Sequence, residues 1–138
     1  MALPAQGLNV RRVDADTAIA AMAPKLTSAK TDTMGGLVDL ADLIQGAECF
    51  EVLADGLPVM HYALKSKTHR YGSEVAVVAA AGDLHGVDLV GSIMPYICRQ
   101  SAAADAVVLH TKRRDLVKKL AAQGFQIDGF ILRKRIEK

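Results

Sequence analysis

The chain has 138 residues, 51% of them apolar and 23% charged, with a formal net charge of +2. That is the length of one domain with enough apolar material for a single core, which argues against a disordered chain. Aromatic residues make up only 4% and tryptophan is absent, so the stacking faces used by single-stranded nucleic acid and sugars are scarce, and the small charge gives no nucleic-acid signal.

Cys49 and Cys98 are the two cysteines, too few for a disulfide framework or a zinc set; they read as small buried hydrophobes in a reducing compartment. No metal site is expected. The opening Met-Ala-Leu-Pro-Ala-Gln-Gly has neither the basic nor the apolar region of a leader, and no apolar run approaches the ~18 residues of a membrane span. A soluble, cytoplasmic protein without a membrane partner is expected.

Leu8–Val13 alternates and reads as an edge strand. Asp14 or Asp16 can cap a helix from Thr17 to about Lys25, ended by Pro24 and a polar linker, Thr27–Thr33, which is the expected mobile segment. Leu37, Leu40, Ala41 and Ile44 recur at helical spacing, closed by Gly46, with Asp39 and Asp42 on the exposed face. Cys49–Ala54 and Pro58–Leu64 read as a hairpin across Asp55-Gly56-Leu57. Lys65–Gly72 reads as a basic, solvated loop. Glu74–Ala81 is apolar on both faces and reads as a central buried strand. A glycine-punctuated loop leads from it into a helix ending near Ala104. Pro95 favours a helix start at Ser92, where proline falls in the first turn; a start at Asp88 would put it inside the helix. Asp105–His110 is a second buried strand, making a strand–helix–strand unit and hence a parallel pair. Arg113–Gln123 is an amphipathic helix with Gly124 just past its end. Phe125–Ile136 supplies one or two final strands with Gly129 as a bulge or turn. The Arg133-Lys134-Arg135 and Lys138 cluster reads as a soluble terminal edge.

The order β-α-α-β-β-β-α-β-α-β(β) is an α/β fold, a mixed sheet with one parallel pair and helices on both faces. It resembles the GNAT superfamily of N-acetyltransferases across nearly the whole chain, as one domain over residues 1–138. The most specific piece is Arg113-Arg-Asp-Leu-Val-Lys-Lys-Leu-Ala-Ala-Gln-Gly-Phe125, similar to the family's helix that closes on Gly-Phe. The resemblance implies an acyl-CoA site in a gap between the central strand and its parallel neighbour, with the pyrophosphate on N–H groups at the following helix start. On that basis Ala79, Ala80, Ala81, Gly86, Val87, Gly91 and Ser92 are the cofactor-binding candidates, and acetyl-CoA is the cofactor if the protein is an enzyme.

The family's loop reads Arg or Gln, two residues, Gly, one residue, then Gly or Ala. With Gly86 as the first glycine, Asp83 replaces the Arg or Gln and Asp88 the small residue. With Gly91, Asp88 and Ile93 stand there instead. Either register sets a carboxylate against a pyrophosphate, and two unit charges about 4 Å apart interact by about 4 kcal/mol at an effective dielectric of about 20. The family's acid, a Tyr four residues before the Gly of Gly-Phe, corresponds to Leu120, and the Asn before it to Arg113. Tyr62, Tyr71 and Tyr96 match neither position. Glu74 stands too early on its strand to serve as a base. His110, ending the partner strand, is the catalytic candidate. His85 reads as solvent-facing and His61 as a sheet-surface residue.

Loss of the loop consensus together with the acid Tyr points to a non-catalytic structural or interaction role with protein partners, and leaves homo-oligomerisation open. Ala47-Glu-Cys-Phe-Glu-Val-Leu-Ala-Asp-Gly-Leu-Pro-Val59 is similar to a Glu-Cys…Gly-x-Pro hairpin of the GNAT-like small internal virion proteins of short-tailed phages, which implies virion partners. The alternative is a divergent acetyl-CoA-dependent N-acetyltransferase. A toxin-like acetyltransferase paired with an antitoxin is a weaker third reading.

Overall fold

A computed structural model describes residues 7–26, 34–83 and 88–138. The expected linker 27–33, and His85, Gly86 and Val87 of the loop, lie outside the described residues. Leu8–Val13 (β1), Glu48–Ala54 (β2), Leu57–His69 (β3), Gly72–Gly82 (β4) and Ala106–Leu109 (β5) form one sheet in the order β1-β2-β3-β4-β5. Every neighbouring pair is antiparallel except β4 and β5, which are parallel, as the strand–helix–strand unit requires. The helices are Ala15–Met22 (α1), Leu40–Ile44 (α2), Leu89–Gln100 (α3) and Arg114–Ala121 (α4). Among the described residues no helix is long and apolar enough to cross a membrane.

The period of two along β3 builds both layers of the core. Met60, Tyr62 and Leu64 face one side, where Ile93, Met94 and Ile97 of α3 and Leu120 of α4 cover them. Ala63, with Cys49 of β2 and Ala79 of β4, faces the other side under Ala18 and Met22 of α1 and Ile44 of α2. Tyr62 is fully buried, stacks on Phe50 at 5.1 Å, and its hydroxyl donates to Gln100 Oε1 at 2.7 Å. That bond satisfies the one polar atom of a large apolar ring.

Local chemistry sets the ends of the elements. Asp14 caps α1 by accepting from the Thr17 N–H at 2.7 Å. Asp39 and Asp42, expected only on an exposed face, form a reciprocal capping pair at the start of α2. Asp55 (φ +50°) and Gly56 (φ +82°) make the mirror-image two-residue turn that matches strand twist. Gly124 (φ +92°) ends α4, with Phe125 N–H bonding Leu120 O and Gly124 N–H bonding Ala121 O, both at 3.1 Å.

Three expectations are corrected. Cys98, expected to be buried like Cys49, is exposed on α3. Lys65–Gly72 is not a loop: β3 runs to His69 and pairs with the start of β4, around a turn at Arg70 and Tyr71. Pairing with Val75 and Ala76, and the His69–Glu74 ion pair at 3.2 Å, outweigh the polar composition. Phe125–Ile136 adds no strand, and Gly129 sits in no bulge or hairpin. β5 is only four residues long and offers little ladder. The segment is drawn elsewhere: Arg135 Nη1 donates to Gly35 O at 2.7 Å and Arg133 lies against Gly35.

Candidate functional site

β4 and β5 part company midway. β5 pairs with Glu74–Val77 and stops, while β4 continues to Gly82 along β3. At the parting point β4 carries a bulge: Ala63 pairs with Ala79 but Leu64 with Val77, leaving Val78 unmatched. A bulge bends its strand and increases the local twist, so the strand that loses its parallel neighbour is also turned at that residue. Val78–Gly82 therefore borders a gap with no strand on its far side among the described residues. Ala79 is buried, Ala81 half-buried and Ala80 exposed; their methyl groups leave the gap unfilled.

The helix start is not where proline suggested. α3 begins at Leu89 with Asp88 as its cap, and the Asp88 carboxylate accepts from the Gly91 N–H at 3.1 Å. Ser92 is already inside, its N–H bonded to Asp88 O at 3.1 Å. Gly91 makes the cap possible: a Cβ there would stand 2.7 Å from the carboxylate. Pro95 lies within the helix on its exposed side, where water can serve the carbonyl that loses its N–H partner. An internal carboxylate thus occupies the Gly91 N–H, one of the donors that the resemblance reserved for pyrophosphate. Lys119 Nζ stands 3.7 Å from it, both groups half-exposed.

The candidate His110 follows Leu109, where the strands part, and is exposed; it also borders an open cleft beside the C-terminal segment. Leu120, at the position of the family's tyrosine, is a core residue.

A polar row that the sequence reading overlooked crosses the sheet on the α1/α2 side. Arg11, Glu51, His61 and Ala81 are direct neighbours on β1, β2, β3 and β4. Glu51 is 4% and His61 7% exposed. His61 Nε2 and Glu51 Oε2 are 2.8 Å apart, and Arg11 Nε donates to Glu51 Oε1 at 2.8 Å. Burial pushes the Glu51 carboxyl up, but the bonds from His61 and Arg11 outweigh it and hold it below the usual range. An anionic Glu51 accepts from His61 Nε2–H and so fixes the orientation of the ring. The signal was a glutamate inside the apolar run Cys49–Ala54. It was hidden because a plain hairpin across Asp55-Gly56 aligns Glu51 with Met60; Val59 is skipped in the register, and this brings His61 opposite instead.

No family model and no curated protein matches the chain. Solved structures do match. A ribosomal-protein-alanine N-acetyltransferase from Brucella melitensis biovar Abortus 2308 superposes with a TM-score of 0.68 at 15% identity, over 95% of this chain and 99% of the other. An acetyltransferase from Trypanosoma brucei gives 0.63 at 16% identity, over 94% and 99%. An aminoglycoside acetyltransferase from an uncultured soil metagenomic sample gives 0.60 at 10%, over 96% and 99%. At such identities the likeness shows the fold, which is that of the GNAT-type acetyltransferases.

Proposed function

We propose that this protein binds an acyl-CoA in the gap beside β4 and transfers the acyl group to an amine. The observation that supports this is the parting of β4 and β5 at Val77 with the bulge at Val78. The free backbone of Val78–Gly82 suits an amide-bearing arm, and the methyl groups of Ala79, Ala80 and Ala81 leave it room. Gly91 and Ser92 would lie at the phosphate end, where Lys119 offsets part of the Asp88 charge. The cofactor supplies an activated thioester. What this chain supplies is position and a proton acceptor. His61, oriented by Glu51 on the strand beside β4, is the group proposed to take the proton that the attacking amine must lose. His110, exposed where the strands part, is the second group able to exchange a proton there.

Binding to the native state alone raises the melting temperature; ligand at about 100 times its dissociation constant stabilises by about 2.7 kcal/mol. A rise with millimolar acetyl-CoA and with CoA is expected, and no rise with either sinks the reading. The second reading is a non-catalytic interaction module, such as an internal virion protein of a short-tailed phage. It is favoured by the Asp88 cap and by Leu120 at the acid position. It requires the protein in purified phage particles and no response to CoA.

A further inference from the structure

The long hairpin of β3 and β4 outruns its neighbours. β2 leaves β3 at Leu64, opposite Glu48, and β5 joins β4 only from Glu74. Lys65–His69 therefore projects past β2, and Gly72 and Ser73 past β5, as a two-stranded ribbon. Its two edges differ. On the β4 side the edge is closed: Asp105 N–H donates to Ser73 O at 2.9 Å, and the Asp105 carboxylate accepts from Ser73 N–H at 2.8 Å. Gly72 makes the room, since a Cβ there would stand 2.5 Å from that carboxylate. On the β3 side, among the described residues, nothing pairs with Lys65–His69 beyond β4 itself. A free edge of this kind templates a further strand.

The open edge is basic. Lys65, Lys67 and His69 follow Ala63 at the strand period of two and share its face, with Arg70 in the turn beyond them. The acidic group set among them is Glu74, opposite Lys67, and it pairs with His69 at 3.2 Å. Among the described residues no carboxylate makes an ion pair with Lys65, Lys67 or Arg70. At the tip Tyr71 is 89% exposed, and the Arg70 guanidinium lies 5.1 Å over its ring. Tyrosine and arginine are residue types that anchor partners, and here they stand together in the open on a chain poor in aromatics. Lysines on an edge repel a second copy of that edge, and the same charges select a strand of opposite sign. A nucleic acid would use the cations and leave the open N–H and C=O groups unused. Lys65, Lys67 and Arg70 also make a small phosphate footprint beside Glu74 and Asp105.

We propose that this edge binds an acidic peptide in extended conformation, which adds a strand beside Lys65–His69, sets its carboxylates against Lys65 and Lys67, and ends on Arg70 and Tyr71. The edge lies at the opposite end of β4 from Gly82, so the proposal is independent of acyl transfer. The probe is a fluorescein-labelled peptide alternating glutamate with threonine, followed by fluorescence anisotropy as the full chain is added. Saturable binding is expected below about 1 mM protein. Lys65→Gln with Lys67→Gln should weaken it about tenfold, the combined worth of two exposed charge pairs. Neither lysine holds an ion pair, so the circular dichroism of that variant should match the native chain. The same peptide N-methylated at alternate residues keeps its charge and loses the N–H groups of one edge; the native chain should bind it at least about tenfold more weakly. Amide exchange of Lys65–His69 should slow in the complex while that of Ser73 stays unchanged. No binding at about 1 mM protein, equal binding by the glutamine variant, equal binding of the N-methylated peptide, or tighter binding of a labelled DNA duplex overturns the proposal.

Discussion

The two ends of the candidate cleft are built from different materials. At the strand end the gap is made by backbone: β5 stops at Leu109 and β4 is bulged at Val78. Side chains there are small and replaceable. At the helix end the outcome depends on one side chain, because the Asp88 carboxylate takes the Gly91 N–H for itself. Backbone geometry tolerates wide sequence change: the fold is shared with a solved structure at 15% identity. Anion-binding chemistry turns on a single substitution.

Substitutions at each end test that contrast. At the strand end, His61→Gln should lower acyl transfer to a panel of primary amines by about 10²–10⁴-fold, the usual worth of a positioned general base. CoA should still raise the melting temperature of this variant, which separates chemistry from binding. A His61→Gln protein of unchanged rate removes His61 from the chemistry.

Glu51→Ala leaves His61 and Arg11 without their shared acceptor and should cost about 3–5 kcal/mol in urea unfolding, as expected when a buried pair is broken. The pH dependence of stability follows from the same carboxyl. Its folded-state value lies below its unfolded one, because the His61 and Arg11 bonds win over burial. It therefore contributes stability above the ordinary carboxylate range, and that stability is lost as pH falls through the lowered value. Melting curves of Glu51→Gln should show a flatter acid limb than those of the native chain. A native limb equally flat would show that the row carries no net stability.

At the helix end, Asp88→Ala should lose about 1 kcal/mol of stability with its cap and gain CoA affinity about tenfold, which corresponds to about 1.4 kcal/mol of removed repulsion. Stability and affinity moving in opposite directions is the signature; a fall in both would make Asp88 a purely structural cap. Gly124→Ala, at φ +92°, should cost about 1 kcal/mol. Tyr62→Phe should cost about 0.5–1.5 kcal/mol through its bond to Gln100. Tyr62 bonds the last residue of α3, at the opposite end of that helix from Asp88 and Gly91, and should leave CoA binding untouched.

Much of this was legible in the chain. The parallel pair followed from two apolar strands around a helix, and the hairpin from Asp55-Gly56. The Gly124-Phe125 ending announced its own cap. Failures occurred where a stronger contact, near or distant in sequence, overrode a local preference. Pro95 argued for a start at Ser92, but a carboxylate three residues from a glycine made the stronger cap. Polar Lys65–His69 became strand because the partner Gly72–Ala76 extends beside it. Phe125–Ile136 has strand composition, yet a composition does not say whether an edge is there to pair with. His61 was assigned to the sheet surface because a skipped residue in a register, here Val59, is invisible without the pairing.

Isothermal titration calorimetry of acetyl-CoA into the native chain and into Asp88→Ala tests the central claim most directly. The expected result is measurable binding by the native chain and tighter binding by the variant, with the gap intact and its phosphate end relieved. No heat from either protein at millimolar acetyl-CoA would contradict it, since the parted strands would then bind no such cofactor.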